Sequence, residues 1–276
     1  MSHDAETLRD RLRSVLAGLD SAVIAFSGGV DSTLVVQAAA DTPGLRFVAL
    51  TTRSPTNTRE EVDEAIRLAA AIGAEHLVVD VDELETPGYA ENPAHRCYLC
   101  KETLYPACEA LRLERGFSVV ADGVNSDDLG DYRPGLRAAA ERGVHHPLVE
   151  AGLSKADVRV LSRWYGLATA ERPASPCLSS RFPYGTAITR EGLGRVAAAE
   201  AALRALGFVE LRVRYLGTSA RVEVAGAELA RLREAELRHE VRLAVLASGF
   251  EDVVLSDTPL RSGSLNDVLL AAGDKG

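Results

Sequence analysis

The sequence predicts an α/β protein in which a doubly wound parallel sheet is followed by a smaller C-terminal α+β domain. Three observations support this fold class. Short apolar runs alternate with helix-period segments through the first part of the chain. A loop over residues 172–185 that contains three prolines then interrupts the pattern. Alternating strand patterns and helices follow it, so we expect domains at 1–184 and 185–276.

The elements of the first domain follow from apolar periodicity and capping residues. Thr58 and Ser154 are typical helix N-caps, and Gly73 is a typical helix terminator. The predicted helices cover 5–18, 31–40, 58–72 and 154–165, and the predicted strands cover 22–26, 45–51, 76–81 and 117–121.

The second domain is predicted to combine helices with a small sheet. The prolines and the glycine of residues 172–185 exclude regular structure from the loop that precedes it. The predicted elements are a helix over 189–206, strands over 209–215 and 220–224, a helix over 226–247 and a strand over 252–255.

Composition limits the partners that this chain can have. The net charge is −9 and the isoelectric point is about 5.3. We expect no nucleic-acid partner, because phosphate contacts need clustered Lys and Arg. No apolar run is long enough to span a membrane, and the polar N-terminus lacks a signal-peptide core. A cytoplasmic location is therefore expected.

A glycine-rich hexapeptide links the first predicted strand to the next predicted helix. Backbone N–H groups and the helix dipole favour an anion at such a helix start. Its glycines let the backbone approach phosphate oxygens, and the hydroxyls, with that of Thr33, add donors. The carboxylate is suited to magnesium, and the Gly-Lys-Ser/Thr ending of a Walker loop is missing. The six residues are Ser27, Gly28, Gly29, Val30, Asp31 and Ser32.

Two other strand ends should meet the hexapeptide at the same edge of the sheet. Thr51 and Arg53 follow the second strand, where we expect adenosine to bind. Gly123 follows the fourth strand and is expected to contact the nucleotide. Asp128, slightly beyond it, is either a magnesium ligand or a turn residue.

Three of the four cysteines lie close together in the sequence. Cys97 and Cys100 form a C-x-x-C pair, which by itself is compatible with redox, zinc or iron–sulfur roles. Cys108 is interpreted as a small buried core residue.

The fourth cysteine, Cys177, lies inside the proline-rich loop. Arg172 and Arg181 flank it in sequence, and cationic neighbours stabilise a thiolate. We interpret Cys177 as a reactive cysteine; the alternative is a core cysteine at a domain interface.

Five motifs occur in an order that resembles the LarE family of ATP-dependent sulfur transferases, within the PP-loop ATP pyrophosphatase superfamily. The resemblance implies a PP-loop, adenine nucleotide alpha hydrolase-like fold that splits ATP between its α and β phosphates. It also implies adenylation of a carboxylate of pyridinium-3,5-biscarboxylic acid mononucleotide, after which sulfur replaces AMP in nickel-pincer cofactor synthesis. The motifs are the hexapeptide at 27–32, Arg96–Lys101, Asp122-Gly123-x-Asn125, Pro173–Arg181 and Arg212–Tyr215.

The family resemblance implies ATP, Mg²⁺ and one of two sulfur sources. Asp31, Ser32 and Cys177 are the implied catalytic residues. In one route Cys177 gives up its own sulfur and becomes dehydroalanine. In the other, Cys97, Cys100 and Cys177 hold a [4Fe-4S] cluster that carries an extra sulfide. The cluster route is favoured because all three cysteines are present.

Arginines of the second domain are candidates for the substrate phosphate. Arg212 and Arg214 are two residues apart on a predicted strand and so share one face. Paired guanidinium groups bind phosphate well, although a solvated strand face is the alternative. Arg181 is a third expected substrate contact, and Arg133 is a candidate for an ATP phosphate. We expect a homo-oligomer.

Three other function classes use a similar hexapeptide. A tRNA-thiolating PP-loop enzyme would also use cysteines, but the acidic balance argues against it. An amidotransferase would need a glutaminase domain with a cysteine nucleophile, and position 2 is Ser2. A nucleotide sensor would leave the Cys177 loop without a role.

Overall fold

A computed structural model describes residues 2–130, 134–173, 175–261 and 265 of the chain. Its contacts divide the chain into two compact units. The first unit comprises Met1–Thr86 and His95–Ser175, and the second comprises Pro87–Ala94 and Pro176–Gly276.

The first unit is built on a four-stranded parallel sheet, as predicted. Its strand order is β3-β2-β1-β4, so the chain reverses its direction of winding between β1 and β4. Ligands of such sheets bind outside the carboxyl ends of the strands at that reversal point. The strands are β1 (Ser21–Ala25), β2 (Arg46–Arg53), β3 (His76–Asp80) and β4 (Val119–Ala121).

Helices cover both faces of this sheet, and alternate strand residues point to each side. Ile24 packs with one helical layer, whereas Val23 packs with the other. The helices of this unit are α1 (Ser2–Ala17), α2 (Val30–Ala40), α3 (Arg59–Ile72), α4 (Arg96–Arg115), α5 (Pro134–Glu141), α6 (Pro147–Glu150) and α7 (Lys155–Trp164).

The helix ends predicted from capping residues are confirmed. Thr58 accepts a hydrogen bond from Glu61 in a capping box at the start of α3, and Gly73 ends that helix with a left-handed φ of 78°. Ser154 caps α7 through a matching box with Asp157. The short α5 and α6 were not predicted, because neither is long enough to show helical periodicity.

The second unit contains a three-stranded mixed sheet. Strand β5 pairs antiparallel with β6, and β6 pairs parallel with β7. Helices α8 and α10 contact each other and the sheet. The elements are α8 (Arg190–Ala205), β5 (Leu211–Leu216), β6 (Ser219–Val224), α9 (Leu229–Arg233), α10 (Ala235–Ala247) and β7 (Asp252–Leu255).

Residues 87–94 belong to the second unit although they precede α4 in sequence. The side chain of Asn92 donates to the carbonyls of Phe182, Pro183 and Thr186. Tyr89 also bonds to Ser179 at 2.8 Å. The second segment of this unit begins at Pro176, whereas the sequence predicted a domain boundary at 184.

Two local predictions were wrong. The loop over 172–185 contains a 3₁₀ turn, Leu178–Arg181, because the prolines lie outside those four residues. The single helix expected over 226–247 is broken, since Glu234 adopts an extended backbone between α9 and α10. No helix in the described part of the chain has the length and apolarity needed to cross a membrane.

Candidate functional site

The loop of residues 27–32 lies at the carboxyl end of β1, at the reversal point of the sheet. Gly28 has a φ of 71°, a left-handed backbone that favours glycine. A Cβ at Gly28 would also lie 3.3 Å from the Cα of Ala65 in α3. The hydroxyls of Ser27 and Ser32 are 3.2 Å apart and brace the loop.

Helix α2 begins directly after this loop and has no side-chain cap. Its N-cap is Gly29, and no side chain bonds to the first-turn N–H groups at that position. Uncapped N–H groups and the positive end of the helix dipole form a ready anion site. The helix start is therefore suited to phosphate oxygens. Thr33 was expected to add a hydroxyl donor, but its side chain is fully buried within α2.

The segment after β4 lies against the first turn of α2, as the strand order predicts. A Cβ at Gly123 would lie 2.7 Å from the backbone nitrogen of Ser32. Only glycine fits at that distance. Two residues later, the amide of Asn125 donates to Asp31 Oδ1 at 3.1 Å.

Lys155 is a site residue that the sequence did not reveal. Its ammonium group forms an ion pair with Asp31 Oδ2, and its backbone N–H donates to Asp127. Lys155 is the first residue of α7, and its side chain is about one-third exposed. The available sequence signal was the capping box beginning at Ser154, which fixes where α7 starts and hence where Lys155 projects.

Of the two predicted magnesium ligands, Asp31 is the better placed. Magnesium prefers hard oxygen ligands, which Asp31 offers next to the phosphate-binding helix start. Asp128 Oδ2 instead accepts a hydrogen bond from the backbone N–H of Asn125 at 3.1 Å. This bond fits the turn role that the sequence left open for Asp128.

A buried hydrogen-bonded group supports the segment after β4. Asp122 accepts from the Tyr105 hydroxyl at 2.8 Å, and His146 Nδ1 lies 2.7 Å from its other oxygen. Burial opposes the charged form of each side chain, whereas the hydrogen bond and the attraction between the two side chains favour it. Lys101 lowers the pKa of both groups, and Glu150 raises the pKa of His146. The net result lowers the pKa of Asp122 and raises the pKa of His146.

The two predicted adenosine residues lie in different surroundings. Thr51 is buried and donates to the Phe26 carbonyl at 2.6 Å, so its oxygen accepts from His76 at 2.8 Å. Burial lowers the pKa of His76, which keeps this ring neutral. Arg53 pairs with Asp80 at 3.1 Å. It also lines a surface cavity of about 440 Å³, together with Asn57, Thr58, Arg59, Val62 and Asp63.

Arg172 was expected to stabilise the Cys177 thiolate. Its guanidinium group instead donates to the carbonyl of Gly28 at 3.3 Å and to Glu64 at 2.5 Å. Arg172 therefore supports the 27–32 loop from within the first unit.

The C-x-x-C pair lies in the first turns of α4. Cys97 is exposed, and the Cys100 thiol lies 3.9 Å from Glu83 Oε1. Burial raises the pKa of Glu83. Cys108 is fully buried, and burial raises the pKa of its thiol to about 12. This agrees with the interpretation of Cys108 as a core residue.

Cys177 begins the 3₁₀ turn of the second unit, and Arg181 holds that turn. The Arg181 guanidinium is buried and donates to the carbonyls of Pro176 and Cys177 at 2.5 and 3.1 Å. Glu200, also buried, binds the other side of the guanidinium at 2.8 and 2.9 Å. Arg181 thus binds both the loop and Glu200, and its substrate contact stays a prediction.

Arg212 and Arg214 lie on one face of β5, as predicted. Arg214 pairs with Glu223 at 2.9 Å and donates to the carbonyl of Ser180 at 2.9 Å. Burial lowers the pKa of Arg212 to about 10, and repulsion from Arg181 is the next largest cause. Arg212 therefore stays charged at neutral pH, and a guanidinium group is suited to bind an anion.

The predicted iron–sulfur ligands come from both units. Cys97 and Cys100 belong to the first and Cys177 to the second. Within the residues that the structure describes, no three His, Cys, Asp or Glu side chains form a group that could hold a metal ion. The iron–sulfur cluster that these three cysteines were expected to hold stays a prediction. Arg133 lies outside the described residues.

Comparison with known proteins extends over nearly the whole chain. Residues 21–92 match the family described as "Queuosine biosynthesis protein QueC". The uncharacterized protein slr1717 of Synechocystis is 44% identical, over 96% of this chain and 98% of that protein.

Two further relatives differ in their sequence identity to this chain and in the share of it that they cover. The pyridinium-3,5-bisthiocarboxylic acid mononucleotide synthase of Lactiplantibacillus plantarum is 38% identical, over 96% of each chain. The uncharacterized protein MJ0830 of Methanocaldococcus jannaschii is 27% identical, over 73% of this chain and 77% of that protein.

Proposed function

Because the chain belongs to the LarE family of PP-loop, ATP-dependent sulfur transferases, we propose that it acts on pyridinium-3,5-biscarboxylic acid mononucleotide. ATP adenylates a carboxylate of this substrate and releases pyrophosphate. Sulfur then displaces AMP and leaves a thiocarboxylate, and a second round gives the dithio product used in nickel-pincer cofactor synthesis. The cytoplasmic location and the homo-oligomeric state of this enzyme stay predictions.

The observation that carries the ATP step is the uncapped start of α2 beneath Gly123. Its N–H groups and the hydroxyls of Ser27 and Ser32 are suited to bind the phosphates. Lys155 supplies a positive charge beside Asp31, where negative charge develops as pyrophosphate leaves. Bound by Asp31, Mg²⁺ would neutralise phosphate charge.

The arginines of β5 support binding of the mononucleotide phosphate in the second unit. Arg212 is half-buried, remains charged, and shares its strand face with Arg214. A guanidinium group out of bulk water binds a phosphate dianion more strongly than an exposed one.

Two sulfur sources lead through Cys177. The sequence favours a sulfide carried by a cluster on Cys97, Cys100 and Cys177, which stays a prediction. The second source is the sulfur of Cys177 itself. One observation favours it. Two donors bind the carbonyl oxygen of Cys177, and such donors stabilise negative charge that develops on an oxygen when the cysteine loses its sulfur.

The proposed ATP step is tested by pyrophosphate release that depends on the mononucleotide. Asp31→Asn should slow this release by about 100-fold, the usual effect of removing one group that acts on developing charge. Asp41→Asn is the matched control, because Asp41 caps the opposite end of the same helix. Pyrophosphate release that is absent in the wild type, or equal in both variants, would refute the assignment.

The sulfur source is tested on protein purified and reconstituted without oxygen. Iron and a brown colour would support the cluster, whereas loss of H₂S mass from Cys177 after turnover would support the sacrificial route. The tRNA-thiolating alternative stays open; a rise in ATP turnover on adding tRNA would favour it.

A further inference from the structure

The carbonyl oxygen of Cys177 accepts two hydrogen bonds from its own loop. The backbone N–H of Ser180 lies 2.9 Å away, and Arg181 Nη1 lies 3.1 Å away. The first bond closes the 3₁₀ turn, which needs no other donor. The guanidinium group on the same oxygen is therefore an addition that turn formation does not require.

The Arg181 guanidinium is fixed in place before any reaction. It is 1% exposed, and Glu200, which is 0% exposed, binds its Nε and Nη2 at 2.8 and 2.9 Å. The backbone N–H of Val213 also donates to Glu200 at 3.0 Å and holds the carboxylate in turn. A buried, immobile donor interacts with charge more strongly than one in water.

Two fixed donors on one oxygen are the arrangement that stabilises negative charge on that oxygen. We propose that Arg181, with the Ser180 N–H, is a catalytic group that stabilises an enolate at Cys177 while sulfur leaves this residue. The inference rests on the proposed function, in the route that transfers the sulfur of Cys177 itself.

The step begins from a thioester between the substrate carbonyl carbon and Cys177 Sγ. Solvent hydroxide takes the Cα proton, and the electron pair moves onto the Cys177 carbonyl oxygen as an enolate. The pair then forms the Cα=Cβ bond, and the Cβ–Sγ bond breaks. Sulfur leaves with its bonding electrons as the thiocarboxylate, and residue 177 becomes dehydroalanine. No external oxidant or reductant takes part.

The test must separate this role from simple support of the loop. Arg181→Lys keeps a positive charge beside Glu200 but removes Nη1, the nitrogen that donates to the Cys177 carbonyl. Arg204→Lys is the matched control, because Arg204 also binds Glu200, at 3.1 Å, from a half-exposed position. Both variants perturb the same carboxylate, and only one changes the donors on Cys177.

The readout is the mass of the intact protein during a single turnover. In Arg181→Lys, the acyl–Cys177 adduct should accumulate, and dehydroalanine should form from it about 10²-fold more slowly than in the wild type. Equal elimination rates in the two variants would overturn the proposal. So would thiocarboxylate formation by wild-type protein without dehydroalanine, although the proposed function would then stand. No thiocarboxylate at all would refute the proposed function itself.

A second measurement needs neither substrate nor a folded variant. Cyanylation converts accessible thiols into thiocyanates, which eliminate thiocyanate anion after the same loss of the Cα proton. In wild-type protein, the cyanylated Cys177 should form dehydroalanine faster than the cyanylated Cys97. Cys97 is exposed and serves as the internal reference. Equal rates at the two positions, mapped by peptide mass spectrometry, would overturn the proposal.

Discussion

Asp31 is a tightly constrained side chain of the 27–32 loop, because Asn125 and Lys155 bind its two oxygens separately. One partner is neutral and the other carries a full charge. We expect Lys155 to turn toward the phosphates when ATP and Mg²⁺ bind, since Mg²⁺ then competes for Asp31.

Lys155→Ala should therefore slow pyrophosphate release by about 100-fold, because one cation near the developing charge is lost. Lys155→Arg is the control that keeps the charge and should retain more of the rate. Pre-steady-state measurement of pyrophosphate at saturating ATP reports this step directly. An unchanged rate in the alanine variant would exclude a role for Lys155 in adenylation.

The pair of Asp122 and His146 gives stability that depends on pH. His146 has a raised folded pKa, so its contribution is complete below about 6.5 and is lost as pH rises through the folded value. Asp122 has a lowered pKa, so its contribution is complete above about 3.9 and is lost as pH falls through the folded value.

His146→Asn removes the titrating group while keeping a donor near the position of Nδ1. The free energy of unfolding should differ most from that of the wild type between about pH 4 and 6.5, and the difference should shrink at alkaline pH. Urea unfolding across this range measures it. A difference that stays constant with pH would show that the pair contributes no charge effect.

At the scale of elements, the start of α2 and the end of β4 meet at the backbone of Gly123 and Ser32. Gly123→Ala would place a Cβ 2.7 Å from the Ser32 nitrogen. The two segments must then separate, so pyrophosphate release should fall and stability should drop by about 1–3 kcal/mol. Gly130→Ala is the control, because no atom lies within 4 Å of its added Cβ.

Adenylation assays and urea unfolding of both glycine variants check this contact. Normal activity in Gly123→Ala would mean that the segment after β4 does not shape the phosphate site.

Local signals in the sequence were enough to predict the elements that surround the 27–32 loop. The Thr58 and Ser154 caps and the apolar strands depend on neighbouring residues, and the structure confirms them. The pairing of Lys155 with Asp31 joins positions 124 residues apart, so no local pattern reveals it. The break at Glu234 was missed because the surrounding residues suit a helix, although the backbone of Glu234 is extended.

At the scale of the whole molecule, the order of segments along the chain does not match the division into units. Residues 87–94 are held in the second unit by the buried Asn92, although sequence alone assigns them to the first. The burial of Arg181 could not be predicted from the sequence, because its partner Glu200 lies nineteen positions away along the chain.

The proposed function assigns ATP cleavage to residues of the first unit and sulfur transfer to Cys177, which belongs to the second. One experiment tests this directly: wild-type protein and Cys177→Ala are given ATP and the mononucleotide, and the products are analysed by mass spectrometry. We predict that Cys177→Ala releases pyrophosphate and accumulates the acyl-adenylate but forms no thiocarboxylate. Thiocarboxylate formation by Cys177→Ala at the wild-type yield would contradict the assignment of Cys177 and both sulfur routes.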